Sequence, residues 1–180
     1  MNAPAQTTDW PNRLFDTLKR AGIAQVGYVP DAGHARLIDL CRADAQIRDI
    51  VLTTEEEGVA LAAGAWLGGQ RCALLMQSSG VGNCINMLSL MRACRFPVLM
   101  LITMRGEWEE FNPWQVPMGQ AARTTLETMG TIVYVADSIE EIAPMVNTAL
   151  RLAYESNSST AVLISQHVIG IKNFEEQANQ

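Results

Sequence analysis

The sequence predicts a single α/β domain, residues 1–180, built on a doubly wound parallel sheet of about six strands with helices on both faces. Apolar runs of strand length alternate with longer stretches of helical period, which is the pattern of a parallel sheet covered by helices. Two of these runs, residues 72–77 and 98–104, contain almost no polar side chains, as expected for strands buried on both faces. A chain of 180 residues with 48% hydrophobic side chains is long enough to bury one substantial core.

The elements follow one another without an internal repeat or a linker. The first predicted helix begins behind Asp9, a residue type that often caps helices, and ends at Gly22. A segment after Arg105 has no clear period. Residues 172–180 are predicted to form a flexible tail. The predicted strands are 25–29, 49–52, 72–77, 98–104, 131–136 and 160–165, and the predicted helices are 10–21, 33–43, 55–66, 83–94, 121–129 and 139–155.

The third predicted helix starts with three consecutive acids, Glu55, Glu56 and Glu57. Thr54 is its expected cap, and Glu57 three residues later would complete a capping box. Acids in a first turn also stabilise the positive end of the helix dipole, which is the favoured role for Glu56 and Glu57. Small side chains then recur every three or four residues, which predicts that another backbone packs closely against this helix. These small residues are Gly58, Ala62, Ala65 and Gly69.

Composition excludes several classes of protein. The net charge of −6 argues against a nucleic acid or an anionic membrane as partner. The four cysteines form no Cys-x-x-Cys pair and lie in apolar stretches, as in a reduced intracellular protein. Residues 1–9 show no secretory signal, and no apolar run approaches the ~20 residues that span a bilayer. We therefore expect a soluble, cytoplasmic protein.

Polar residues stand at the ends of the predicted strands. Glu55 marks a strand-to-helix junction, where a side chain of an α/β domain points into the ligand crevice. The turn Ser-Ser-Gly-Val-Gly-Asn at 78–83 follows the next strand. By itself this turn identifies no ligand, because it lacks the Lys-Ser/Thr of a P-loop and the third glycine of a dinucleotide fingerprint. A tight turn in which glycine relieves crowding explains it equally well.

The order of these features resembles a known family. Glu55, then Gly64 nine residues later, then a strand and a Ser-Gly-x-Gly-Asn turn resemble the pyrimidine-binding domain of thiamin-diphosphate-dependent decarboxylases. The stretch Val-Pro-Asp-Ala-Gly-His at 29–34 resembles a Val-Pro-Asp-Ser stretch of phosphonopyruvate decarboxylases, and Arg-Gly-Glu at 105–107 matches the same group. Over residues 26–119, the chain looks most like the small α subunit of sulfopyruvate and phosphonopyruvate decarboxylases.

The resemblance implies cofactor contacts. In this family the glutamate equivalent to Glu55 hydrogen-bonds N1′ of the aminopyrimidine ring and so promotes removal of the thiazolium C2 proton, which makes Glu55 the expected catalytic residue. Gln77, Ser79, Gly80 and Asn83 are expected to line the cofactor beside it. The cofactor serves as electron sink while a 2-oxo acid loses carbon dioxide. The expected reaction converts 3-sulfopyruvate to sulfoacetaldehyde, with phosphonopyruvate or another 2-oxo acid as the alternative substrate.

The resemblance also implies that Asp31, His34 and Arg105 face the substrate. A guanidinium suits this task because its donors match two oxygens of a carboxylate, sulfonate or phosphonate at once. Simpler roles remain open for each of the three side chains. Asp31 could build a turn, and His34 could cap or pack against the next helix. Arg105 could form a salt bridge to Glu107 or Glu109.

The segment after Arg105 departs from the family pattern. The sulfo- and phosphonopyruvate enzymes continue with Pro-Gln-His-x-Lys-x-Gly, whereas residues 113–119 read Pro-Trp-Gln-Val-Pro-Met-Gly. Both basic residues are missing, although Gln115 is still expected to reach the substrate. This difference makes a smaller or more apolar 2-oxo acid an alternative substrate. His167 has no supporting motif and is expected at the surface.

Two motifs of the family are absent. Thiamin enzymes bind Mg²⁺ and the diphosphate through Gly-Asp-Gly followed downstream by Asn-Asn, and the chain contains no Gly-Asp and no Asn-Asn. The resemblance therefore implies no metal ligand in this chain and a partner β subunit that holds the metal and the diphosphate in a hetero-oligomer. One alternative is a catalytically silent regulatory subunit, which Glu55 disfavours. Another is a nucleotide-binding α/β protein, which the missing phosphate fingerprint disfavours.

Overall fold

A computed structural model describes residues 9–170, and the predicted tail at 172–180 lies outside this range. Its six strands are all parallel, in the order β2-β1-β3-β4-β6-β5, which confirms the predicted fold class. The strands are β1 Ile23–Tyr28, β2 Arg48–Val51, β3 Arg71–Gln77, β4 Val98–Thr103, β5 Ile132–Ala136 and β6 Ser159–Ile164.

Helices cover both faces of the sheet. None of those described between residues 9 and 170 is long and apolar enough to cross a membrane. Short 3-10 turns at Ala32–His34 and Pro113–Gln115 precede the second and sixth helices. The helices are α1 Trp10–Arg20, α2 Ala35–Ala43, α3 Glu55–Leu67, α4 Ser78–Cys84, α5 Leu88–Cys94, α6 Val116–Thr128, α7 Ile139–Ser156 and α8 Gln166–Ile169.

The two central strands divide their side chains between two cores. Leu99 and Leu101 of β4 join the core under α1, α2 and α7, whereas Met100 and Ile102 join the core under α3 to α6. This alternation follows from the two-residue period of a strand. It explains why the sequence of β4 is continuously apolar, since each face is covered by helices.

The topology creates a crevice between β1 and β3. The chain leaves β1 toward β2 on one side and returns to β3 on the other, so the connections diverge between these neighbouring strands. In open α/β sheets the carboxyl ends at such a switch point form the ligand crevice. Gln77 at the end of β3 pairs in register with Thr103 at the end of β4, which places their side chains side by side.

The small-residue face of α3 packs on its own sheet. Gly58, Ala62 and Ala65 are buried. A Cβ atom at Gly58 would lie 2.9 Å from a methyl group of Leu52 and 3.0 Å from one of Leu74. The closely packed neighbour predicted from the spacing is therefore the domain's own core.

Several local predictions were wrong. The predicted capping box of α3 does not form, because Thr54 makes no side-chain cap and Glu57 instead accepts a hydrogen bond from the Thr53 N–H at 2.8 Å. Asp9 likewise makes no capping bond to α1. The segment predicted as a glycine turn, 78–83, is the first part of helix α4, and the predicted helix 83–94 is split into α4 and α5. Helix α6 begins at 116, five residues before its predicted start at 121.

Candidate active site

A cavity of about 120 Å³ lies at the carboxyl edge of the sheet, above the ends of β1, β3 and β4. Three residues predicted from the sequence converge on it, Asp31, Gln77 and Arg105. Thr103 completes the polar lining, and Ala32, Gly33, Ile169 and Gly170 supply the rest. The cavity therefore opens where the topology predicts ligand binding.

The Asp31 carboxylate joins the ends of three strands. One oxygen accepts hydrogen bonds from Thr103 Oγ1 at 2.7 Å and from the Gly33 N–H at 3.0 Å. The other accepts a hydrogen bond from Gln77 Nε2 at 3.0 Å. All three donors are neutral, so the carboxylate is held in place without a cationic partner among them. The turn role considered for Asp31 is thus real, and the same side chain also lines the cavity.

Gln77 links this carboxylate to the start of α4. Its Oε1 accepts a hydrogen bond from Ser79 Oγ at 2.9 Å, which fixes the orientation of the amide. Ser78, which is fully buried, accepts a hydrogen bond from the Arg105 N–H at 3.1 Å and donates to the Arg105 carbonyl at 3.3 Å. The first turn of α4 is therefore attached to both the Asp31 side and the Arg105 side of the cavity.

Glu55 is the first residue of α3 and is buried, with 9% of its surface exposed. Its Oε2 accepts a hydrogen bond from Asn83 Nδ2 at 2.8 Å, while Oε1 accepts none from the residues described at 9–170. A Cβ atom at Gly80 would lie 2.6 Å from Oε1, so only glycine leaves room for the carboxylate there. The structure therefore brings together three predicted residues, Glu55, Gly80 and Asn83, in what we call the Glu55 corner.

The chemistry of this corner fits a neutral heteroaromatic ring. One oxygen of Glu55 is fixed and the other is available to a proton on a ring nitrogen. Asn83 and Ser79 add small polar groups, and no group of three metal-ligating side chains occurs in the described part of the chain. Burial raises the pKa of the nearby Cys84 thiol to about 12, with the charges of Glu55 and Glu56 adding to the effect, so this thiol stays protonated and offers no nucleophile. Apart from the Glu55 carboxylate, these side chains are neutral and can hydrogen-bond a small polar ring.

His34 is buried and is not among the residues that line the cavity. The residue is 1% exposed, and its Nε2 lies 3.1 Å from the carbonyl oxygen of Leu101. Burial lowers the pKa of the ring, which favours the neutral form. This position matches the packing role considered as the alternative, and contact with a substrate stays a prediction.

Arg105 lines the cavity but already has an anionic partner. Its Nε and Nη2 donate to the two oxygens of Glu110 at 2.6 Å and 2.5 Å. The salt bridge considered as the simpler role of Arg105 does form, but its partner is Glu110 and not Glu107 or Glu109. The hydrogen bonds from Arg105 hold the pKa of Glu110 at about 2.

Glu110 also organises the loop that contains it. Its carboxylate accepts hydrogen bonds from the Gly106 N–H at 3.2 Å, the Asn112 N–H at 3.1 Å and Gln166 Nε2 at 3.1 Å. Gln166 in turn accepts hydrogen bonds from the N–H groups of residues 107 and 108 through Oε1. We call residues 105–112 the Arg105 loop. Helix α8 and Glu110 together hold it over the sheet edge.

The start of α6 packs closely against the backbone of the same loop. A Cβ atom at Gly119 would lie 1.9 Å from the carbonyl oxygen of Arg105, and one at Gly106 would lie 2.5 Å from the carbonyl oxygen of Gln115. Gln115 is not among the residues that line the cavity, and its Oε1 is buried without a hydrogen bond from any described residue. Its contact with substrate therefore stays a prediction. His167 is exposed, as predicted, with its ring 4.3 Å from that of Trp108 between centroids.

Comparison with known proteins agrees with this geometry. The family described as thiamine pyrophosphate enzyme, N-terminal TPP binding domain, matches residues 10–120. The chain belongs to this family. The resemblance seen in the sequence motifs is thereby confirmed, and so is the assignment of the fold.

One relative of the chain has a similar length, whereas another is much longer. The chain is 33% identical over 152 residues to the sulfopyruvate decarboxylase subunit alpha of Methanococcus maripaludis, covering 84% of this chain and 91% of the relative. It is 31% identical over 157 residues to the sulfopyruvate decarboxylase of Methanosarcina acetivorans, covering 87% of this chain and 40% of that protein. A solved 2-oxoglutarate:ferredoxin oxidoreductase from Magnetococcus marinus shares the fold with a TM-score of 0.73 and 14% identity, covering 89% of this chain and 29% of that chain.

The sequence motifs did not predict three residues of the site, Thr103, Glu110 and Gln166. Thr103 could have been found, because it is the only polar residue of β4 and stands at the strand's carboxyl end. Glu110 lies in a segment without period, and Gln166 contacts the Arg105 loop from almost sixty residues away. No local pattern marks either of the latter two.

Proposed function

We propose that this chain is the α subunit of a thiamin-diphosphate-dependent decarboxylase of 2-oxo acids, and that it converts 3-sulfopyruvate to sulfoacetaldehyde and carbon dioxide. The observation that carries the proposal is the Glu55 corner. It presents one carboxylate oxygen without a partner among residues 9–170, under a glycine that leaves room for it. The similarity to sulfopyruvate decarboxylases supports decarboxylation and makes sulfopyruvate the first substrate to assay.

The cofactor, when bound, supplies the carbon acid and the electron sink for decarboxylation. Glu55 would hold a proton at N1′ of the aminopyrimidine through Oε1, while Asn83 keeps its Oε2 in place. Gln77 and Ser79 would line the ring from the first turn of α4. The burial of Glu55 keeps bulk water from competing for the same oxygen.

The substrate would occupy the cavity beside this corner. Arg105 would bind an anionic group of the 2-oxo acid, and Asp31 would face it from the opposite side of the sheet crevice, fixed by Thr103 and Gln77. His34 would support this wall through the contact of its ring with the Leu101 carbonyl of β4. Gln115 would contact the substrate from the start of α6, which packs closely against the Arg105 loop.

A partner chain completes the proposed enzyme. The sequence contains neither Gly-Asp-Gly nor Asn-Asn, so a β subunit would hold Mg²⁺ and the diphosphate. The relative from Methanosarcina acetivorans supports this division, since this chain corresponds to only 40% of that single protein. We place the complex in the cytoplasm, where its four free cysteines would stay reduced.

The proposal is tested by reconstitution. The chain is co-expressed with a β-type chain that carries both missing motifs, and decarboxylation of sulfopyruvate is followed with thiamin diphosphate and Mg²⁺ present. We expect the complex, but not the purified chain, to decarboxylate sulfopyruvate. In calorimetry, the complex should bind the cofactor and the purified chain should not. A complex that forms and binds the cofactor without decarboxylating any 2-oxo acid would instead support a regulatory subunit.

A further inference from the structure

The Arg105–Glu110 pair has an electrostatic consequence for the cavity. The pair occupies Nε and Nη2 of the guanidinium, which leaves Nη1 and a second hydrogen on Nη2 for a ligand in the cavity that Arg105 lines. The Glu110 side chain is 3% exposed and its pKa is about 2, so it remains ionised at neutral pH. Arg105 therefore offers donors to a ligand while its charge is already neutralised.

The remaining lining residues supply no further positive charge. Arg105 is the only cationic side chain among the cavity-lining residues of the described chain, and Asp31 contributes a carboxylate. A neutralised guanidinium can still hydrogen-bond a weakly basic anion, but it compensates little additional negative charge. The wall thus distinguishes ligands by their charge more than by their shape.

We propose that Glu110 is a positioning residue that makes this site select a singly charged sulfonate over a doubly charged phosphonate at the substrate's far end. The inference rests on the proposed function, since both ligands are taken as 2-oxo acids. A sulfonate carries one negative charge, whereas a phosphonate, like a phosphate ester, approaches two above neutral pH. The second charge of the phosphonate would face Asp31 and a neutralised Arg105, which disfavours its binding.

The test compares sulfopyruvate and phosphonopyruvate in the complex with the β-type partner. Glu110→Gln keeps the shape of the side chain and removes its charge, so the full charge of Arg105 returns to the cavity. We expect the ratio of kcat/KM for phosphonopyruvate to that for sulfopyruvate to rise about 10-fold, mainly through a lower KM for phosphonopyruvate. A ratio that stays within about twofold of the parent would overturn the proposal.

Two control variants distinguish the effect of the lost charge from the effect of a disturbed Arg105 loop. Glu109→Gln makes the same change of net charge at an exposed neighbour and should leave the ratio unaltered. Gln166→Met removes bonds that hold the Arg105 loop without changing charge, so it should lower kcat/KM for both substrates equally. If Gln166→Met shifts the ratio as Glu110→Gln does, Glu110 has only a structural role.

A second measurement needs no turnover. Phenylglyoxal modification of Arg105 in the complex without thiamin diphosphate is followed by peptide mass spectrometry, with sulfopyruvate or phosphonopyruvate as the protecting ligand. Glu110→Gln should speed the modification and make phosphonopyruvate the better protector. If the parent complex decarboxylates neither compound, the proposed function fails, and protection that is identical in the parent and Glu110→Gln would overturn the selectivity proposal separately.

Discussion

The Glu55 corner and the Arg105 loop hold their charged groups in opposite ways. The Glu55 carboxylate is fixed through one oxygen by a neutral amide, and its other oxygen has no partner among residues 9–170. The Arg105 guanidinium is paired with a carboxylate that is itself held by two backbone N–H groups and by Gln166. The first arrangement preserves reactivity, whereas the second fixes position and removes charge.

This difference indicates what each region contributes. A group that exchanges a proton must keep an oxygen available and must not be neutralised by a cation. A group that orients an anionic ligand gains from rigidity, because the bound geometry then costs less entropy. Changes to the corner should therefore act on the rate of the reaction, and changes to the loop should act on selectivity and stability.

The largest expected effect is that of Glu55→Gln. An amide cannot exchange a proton with N1′, and loss of one positioned acid–base group typically lowers the rate about 10²–10⁴-fold. Glu57→Gln, two residues along the same first turn, is the matched control, because Glu57 is exposed and its carboxylate accepts a hydrogen bond only from the Thr53 N–H among the described residues. Decarboxylation by the reconstituted complex is the measurement. A Glu55→Gln rate within about threefold of the parent would rule out its assigned role.

The geometry of the corner is tested by Gly80→Ala. The new methyl group would lie 2.6 Å from the Glu55 carboxylate and must displace it. We expect kcat to fall about 10²-fold, since a displacement of this size at a catalytic group has such effects. Gly82→Ala is the control, because its methyl group would lie 3.4 Å from the Met118 sulfur, at the end of a flexible side chain. Equal activity of the two variants would show that Gly80 does not set the position of Glu55.

The corner could be predicted because its residues match a family pattern whose parts are each local in the sequence. Glu55 opens a helix after a strand, and Gly80 and Asn83 belong to one short motif. The strand order then brings the two helix starts together, as expected at the edge of a parallel sheet. The motif was predicted as a turn, yet its helical form keeps Gly80 and Asn83 on the side of Glu55.

The Arg105 loop could not be predicted in the same way. The partner of Arg105 lies in a segment without regular period, where no spacing rule selects Glu110 over Glu107 or Glu109. Its second support, Gln166, follows β6, and only the tertiary fold places that strand beside β4. Loops held by long-range hydrogen bonds leave no periodic signal in the chain.

The Arg105–Glu110 pair of the loop should make the free energy of unfolding depend on pH. Arg105 lowers the pKa of Glu110 from 4.5 to about 2 in the folded state. A carboxyl group with a lowered folded-state pKa stabilises the protein above its unfolded pKa, and this stabilisation is lost as pH falls from about 4.5 to about 2. Allowing for solvent screening, we expect this stabilisation to add about 2 kcal/mol to the free energy of unfolding at neutral pH.

Urea unfolding of the parent chain and of Glu110→Gln measures this contribution. The parent should lose more stability than the variant between about pH 5 and pH 2, and the two should converge at about pH 2. Glu109→Gln should follow the parent. Parallel curves for the parent and Glu110→Gln would show that the Arg105 pair contributes no net stability to the loop.

The smallest expected effect comes from Thr103→Val, at the wall that separates the two regions. Valine keeps the shape of this buried side chain and removes the hydroxyl that donates to Asp31 at 2.7 Å. Asp31 retains its bonds from Gln77 and Gly33, so the carboxylate should loosen without leaving the crevice. We expect a loss of about 1 kcal/mol in the free energy of unfolding and about a fivefold fall in kcat/KM, both restored by Thr103→Ser. A fall in kcat as large as that of Gly80→Ala would instead place Asp31 with Glu55 among the groups that act on the reacting atoms.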